Sequence, residues 1–195
     1  NQLTFEIFKK EVENFKVSTD NSYIKTYIEF LKYFENLEKI EEHHLTISSH
    51  FIYGWMPTII NFKIQDKKKT LELINKTKTN IDLSKEELEY LKGTINNSLV
   101  GLSKLLHFIN PKRYAIWDSR IFRFITGKKS QYGISEPKNY LSYLSIINDI
   151  SQNKEYLKLH KRIENSVEYS LHYTRAIEIV IFEADKKKQK SLKLL

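Results

Sequence analysis

The sequence predicts an all-α fold: a compact multi-helix globular domain with a long C-terminal helix. Three observations carry that expectation. Apolar residues recur at the three-and-four spacing of a helical face along nearly the whole chain. Only 5 Gly and 3 Pro punctuate 195 residues, which leaves few turn signals. A hydrophobic content of 41%, with 13% aromatics, supplies the apolar surface that a core needs. At this length the chain reads as a single helical domain over 1–195, built as one body or as two intimately packed helical lobes.

The elements follow in order. Phe5, Phe8, Val12 and Phe15 line one face of a first helix. After the turn-like Ser18-Thr19-Asp20-Asn21-Ser22, Tyr23, Tyr27, Phe30, Leu31 and Phe34 line a second. A third is expected from about Leu45 to Trp55, ending before Met56-Pro57. Thr58 to Ile64 is β-branched and partly alternating, and suits an isolated strand or a buried helix. Asp66-Lys67-Lys68-Lys69 reads as an exposed turn and Thr70 to Lys76 as a short helix. Ser84, followed three residues later by Glu87, has the form of a capping box opening the next helix. Leu102, Leu105, Leu106 and Ile109 mark a helix that Asn110-Pro111 stops. Tyr114-Ala115-Ile116-Trp117 is apolar and extended. Asp118-Ser119 then opens a helix over Arg120–Thr126, which Gly127 closes. A polar connection to Pro137 leads into a helix from about Lys138 to Asn153. The last and longest helix is expected from Glu155 to Lys187, apolar on more than one side in its middle and therefore buried there, with Lys186–Lys190 as a solvated basic tail.

The net charge of +8 suggests a polyanionic partner, although a lysine-rich solvated surface accounts for it equally well. The absence of cysteine removes disulfides and thiolate chemistry and suits a reducing, cytoplasmic compartment. The first residues have no basic stretch followed by an apolar run, so no signal peptide is expected. No apolar run approaches the ~20 residues that span a bilayer, so no membrane role is expected. Glycine-rich phosphate loops, nucleophilic serine elbows and paired-carboxylate spacings are missing, and nothing calls for a cofactor. His43-His44 and His50 invite a zinc reading, but the chain offers no Cys and no His-Glu-x-x-His, so no metal is assigned.

The informative stretch is about 98–127: helix, tight break, apolar linker, aspartate, helix. It resembles the core of the helix-hairpin-helix DNA glycosylase superfamily. Asp118-Ser119-Arg120-Ile121-Phe122-Arg123 matches that family's Asp-Thr-His-Val-x-Arg element in its aspartate, hydroxyl residue, β-branched residue and arginine. Lys104 stands where some members carry a lysine, and Gly101 lies near the hairpin. Ser103 stands in place of the second hairpin glycine, Arg120 replaces the histidine, and Lys104 and Asp118 are fourteen residues apart, several fewer than in the family. The resemblance implies cleavage of the N-glycosidic bond of a flipped base, with Asp118 as the essential carboxylate and Lys104 as a nucleophile forming a Schiff base.

Each candidate also has a plainer reading. Asp118 is an expected helix N-cap, which is compatible with catalysis. Lys104 is expected to lay its stem over the core unless burial depresses its pKa. Lys112, Arg113, Arg120, Arg123, Lys128 and Lys129 flank the break and the second helix, where a phosphate backbone would be gripped, or else form a solvated face. Trp117 and Trp55 are candidates for stacking an extruded base, or core residues beside turns. The leading expectation is a helical DNA-binding protein, glycosylase-like in its chemistry and acting on double-stranded DNA. The rivals are a non-catalytic nucleic-acid-binding module and a helical scaffold with no enzymatic activity.

Overall fold

A computed structural model of the chain describes residues 3–17, 22–54, 63–79 and 81–192. Among them are ten helices and no strand: α1 Phe5–Glu13, α2 Ser22–Glu35, α3 Glu42–Gly54, α4 Lys67–Lys76, α5 Lys85–Thr94, α6 Leu99–Ile109, α7 Ser119–Thr126, α8 Pro137–Ser151, α9 Tyr156–Val167 and α10 Tyr173–Leu192. The fold is all-α, as the apolar spacing requires. No helix among the described residues is long and apolar enough to cross a membrane.

Two helices organise the rest. α6 packs against α2, α3 and α5, while α10 packs against α7, α1, α8 and α9. Both are buried on more than one side. α6 buries Leu102, Leu105, Leu106 and Phe108, and α10 buries the unbroken run from Thr174 to Ile181. A helix apolar all round belongs inside a protein, which is where both lie.

The expected helix ends hold where their chemistry is local. Ser84 and Glu87 form the reciprocal capping box at the start of α5. Asp118 caps α7, and Gly127 closes it in the left-handed region at φ 70°. Pro137 occupies the first turn of α8, where its missing N–H costs nothing.

Two expectations are corrected. The run expected as one helix from Glu155 to Lys187 is two: α9 ends at Val167 and α10 starts at Tyr173. Glu168 takes φ 67° between them, and the Glu164 side chain accepts a 2.8 Å hydrogen bond from the Leu171 amide, fixing the new direction. Asp66–Lys69 is not a free turn: Asp66 is the N-cap of α4, accepting from the Lys69 amide, and the lysines form its first turn. Trp55, Ser18–Asn21 and most of the stretch from Thr58 to Ile64 lie outside the described residues. Lys63 and Ile64 are neither helical nor extended in a sheet.

Candidate functional site

The α6–α7 connection is pinned to its surroundings by hydrogen bonds that the apolar pattern does not reveal. The Ser103 hydroxyl accepts from the Trp117 amide at 3.0 Å and lies 3.2 Å from the Trp117 carbonyl, stitching α6 to the linker. The Tyr140 hydroxyl donates to the Ala115 carbonyl at 2.9 Å. His107, 0% exposed, lies 2.6 Å through Nδ1 from the Tyr114 carbonyl and 2.8 Å through Nε2 from the Tyr27 hydroxyl. A carbonyl only accepts, so Nδ1 carries the proton, and Tyr27 donates to the bare Nε2. Burial, together with the Arg175 charge, pushes the imidazole down to about 3 and keeps it neutral.

Above this frame sit four charged side chains from three elements: Lys104 of α6, Asp118 at the start of α7, and Arg175 and Glu178 of α10. Arg175 and Glu178 are 7% and 2% exposed and are paired through Nη1 and Oε2. Arg175 also stands over the Tyr27 ring, 4.8 Å from its centroid. Burial pushes the Glu178 carboxyl up to about 7, with Asp118 adding to the rise and Arg175 opposing it. Burial lowers the Lys104 amine, against the pull of Asp118 and Glu178. The Asp118 charge thus acts on both Lys104 and Glu178. Arg175 Nε and Tyr143 Oη are among the buried polar atoms that find no hydrogen-bond partner among the described residues.

Asp118 is half-buried, and both helix amides it caps, those of Arg120 and Ile121, bond to Oδ1 at 2.9 Å. Capping therefore occupies one oxygen and leaves Oδ2 for another task. Lys104 is mostly buried and, among the described residues, its amine has no carboxylate within ion-pair distance. Its stem is largely covered, as expected of a lysine lying over the core.

The six cationic candidates divide evenly. Arg113 is bonded to Asp82, at 2.8 Å through Nε. Arg123 forks onto Asp185, with Nε at 3.0 Å and a second bond from Nη2. Arg120 lies over the Phe182 ring, 4.9 Å from its centroid. Lys112, Lys128 and Lys129 are exposed and, among the described residues, unpaired. The stacking role expected of Trp117 does not fit its position. It is 1% exposed, edge-on to Phe122 and close to Tyr143, with its indole N–H donating 2.8 Å to the Ile134 carbonyl. No ring face is open to a base.

The histidines gather only in part. Glu41, His43 and His44 bring ligand atoms within 4.8 Å of one another, without His50, whose Nδ1 faces the Thr46 carbonyl. His44 Nδ1 accepts from the Glu41 amide at 3.1 Å, which puts the imidazole proton on Nε2 and leaves no free lone pair for an ion.

Sequence reading missed Arg175 and Glu178, the two most deeply buried members of the charged group. Their signal was present: two opposite charges at i and i+3 inside an otherwise apolar helical run. No family model matches the chain, and no curated protein or solved structure matches it either.

Proposed function

We propose that the chain is a DNA-binding protein that cleaves an N-glycosidic bond, with Asp118 and Lys104 as its catalytic pair. The supporting observation is a half-buried carboxylate with one uncommitted oxygen, sharing its field with an unpaired amine whose charge is disfavoured by burial. Perturbed ionisable groups of this kind concentrate where chemistry is done. In the proposed step the neutral Lys104 amine attacks the anomeric carbon. The C–N bond to the base breaks and the base leaves with the bonding pair, taking up, by way of a nearby carboxylate, the proton that the attacking amine releases. Asp118 Oδ2 stabilises the positive charge that develops on the sugar. The sugar ring then opens as the C1′–O4′ bond breaks, O4′ taking the remaining amine proton as the C=N bond forms, and water hydrolyses this imine to the sugar aldehyde and the free amine.

A different reading is favoured by one specific observation. Arg175 and Glu178 complete each other's charge in the interior, as a purely structural polar core would, and three of the six cationic candidates are held by internal partners. On that reading the protein is a helical scaffold. Borohydride trapping separates the two. Lesion-containing duplexes are incubated with the protein and reductant, and an imine at Lys104 becomes a stable cross-link. Trapping by wild type, lost in folded Lys104→Gln, supports the enzyme. Neither trapping nor base release across a broad lesion panel, in a protein that unfolds more easily as Lys104→Gln, leaves the scaffold.

A further inference from the structure

The connection between α7 and α8 holds the most exposed aromatic ring among the described residues: Tyr132, 84% exposed. An aromatic side chain so far out of the core gains nothing from folding, and in a loose loop it would carry no meaning. This loop is fastened close to the ring. The Trp117 indole donates to the Ile134 carbonyl at 2.8 Å, Asn139 Nδ2 donates to the Gly133 carbonyl at 2.7 Å, and Lys92 Nζ donates to the Ser135 carbonyl at 3.2 Å. Turn bonds from the Ile134 amide to the Gln131 carbonyl and from the Glu136 amide to the Gly133 carbonyl close it further. Gly133, at φ 94°, takes a conformation that a side chain would resist, with Asn139 Nδ2 3.1 Å from where its Cβ would be. The ring is thus presented on an ordered support.

Its surroundings are cationic and hydrophilic. Lys128 and Lys129 are exposed four and three residues before it, with Ser130 and Gln131 between, also exposed. Lys129 also lines, with Lys188, a cleft of about 580 Å³ between α1, α7 and α10. Of the two carboxylates there, Asp185 is already answered by Arg123, leaving Glu11 as the opposing charge.

We infer that Tyr132 with Lys128 and Lys129 is a binding site for unpaired nucleobases of a single strand, the base stacking on Tyr132 and the backbone running over the lysines toward Lys188. One face-presenting aromatic beside unpaired cations is what sequence-tolerant single-strand binding uses, since every base has a π-face. An anionic membrane would ask for further apolar residues beside the ring, and the neighbours here are lysine, serine and glutamine. The inference rests on the nucleic-acid part of the proposed function and not on its chemistry.

The test is fluorescence anisotropy with a labelled short oligothymidylate and, beside it, an abasic strand of the same length. Tyr132→Ala is expected to lose roughly five- to hundredfold in affinity for the oligothymidylate, and Tyr132→Phe to keep it. Wild type on the abasic strand should fall to the level of Tyr132→Ala, while Tyr132→Ala should bind both strands alike. Replacing Lys128 and Lys129 by alanine should reduce the log–log salt slope by roughly 0.7 for each phosphate no longer neutralised. Wild-type affinity in Tyr132→Ala, no binding of oligothymidylate at low salt, or Tyr132-dependent binding only to phosphatidylserine vesicles would each overturn the inference. Base release from lesion duplexes is measured on the same preparations. Its absence beside Tyr132-dependent strand binding discards the catalytic reading alone, and the converse discards this site alone.

Discussion

Asp118 makes two separable demands on one carboxylate. Oδ1 holds the first amides of α7, a task that an amide oxygen performs nearly as well, while stabilising a cationic sugar needs the negative charge. Asp118→Asn is therefore expected to melt close to wild type, losing less than the roughly 0.5–2 kcal/mol of a cap-to-alanine change. Its base release should drop by about 10²–10³. Thermal denaturation and a glycosylase assay on one preparation check both halves. Deeper in, His107 and Glu178 oppose one another in acid. The His107 value is depressed from 6.5 to about 3, so its contribution is complete above pH 6.5 and lost as pH falls through about 3. The Glu178 value is raised from 4.5 to about 7, so its contribution is complete below pH 4.5 and lost as pH rises through about 7. Urea midpoints measured from pH 7 to pH 4 should fall for wild type, fall less for His107→Gln and fall more for Glu178→Gln. The His107 part amounts to up to roughly 5 kcal/mol across its window.

Helix termini set how far local sequence reaches. Gly127 ends α7 with a conformation that glycine adopts freely, and Gly127→Ala should cost about 1 kcal/mol. Glu168 ends α9 in the same left-handed region with a side chain attached. Glu168→Gly is accordingly expected to raise the melting midpoint, by about 1 kcal/mol less the extra entropy glycine gives the unfolded chain. The same contrast explains what was legible beforehand. The α5 capping box, the Asp118 cap and the Gly127 stop were readable because each is a rule about three or four adjacent residues. The break at Glu168 was not: neither glycine nor proline marks it, and apolar spacing continues across it from Val167 to Leu171. The division of α9 from α10 is a tertiary decision, made by the packing of each against other helices. Likewise Lys104 and Asp118 could be named from the α6–α7 segment alone. Arg175 and Glu178 stand out locally as opposite charges in an apolar run, but their meeting with Lys104 and Asp118 joins the far end of the chain to the α6–α7 segment, beyond the reach of any local pattern.

At the scale of the molecule, the positive charge is less available than its total suggests. Arg123 neutralises Asp185, which is 1% exposed, so Arg123→Ala strands a buried carboxylate and should cost about 3–5 kcal/mol. It is expected to appear in denaturant titrations as instability and not as a changed salt slope. Lys128→Glu with Lys129→Glu should do the opposite, keeping the midpoint and lowering the duplex-binding slope by roughly 0.9 for each phosphate left without its cation. Both are read by binding titrations at several salt concentrations beside a urea curve. The buried indole of Trp117 also has an optical consequence. The chain has 2 tryptophans, and this one is sealed in an apolar setting, with the Tyr143 ring 5.2 Å and the Tyr140 ring 6.1 Å away. With Trp55 replaced by phenylalanine, emission excited through tyrosine would come from Trp117 by energy transfer and would be blue-shifted while the linker stays packed. The carbonyl of Trp117 is bound to Ser103 and its chain neighbour is Asp118. Any loosening between α6 and α7 would register there as a red shift, giving the protein a built-in lamp beside its charged centre.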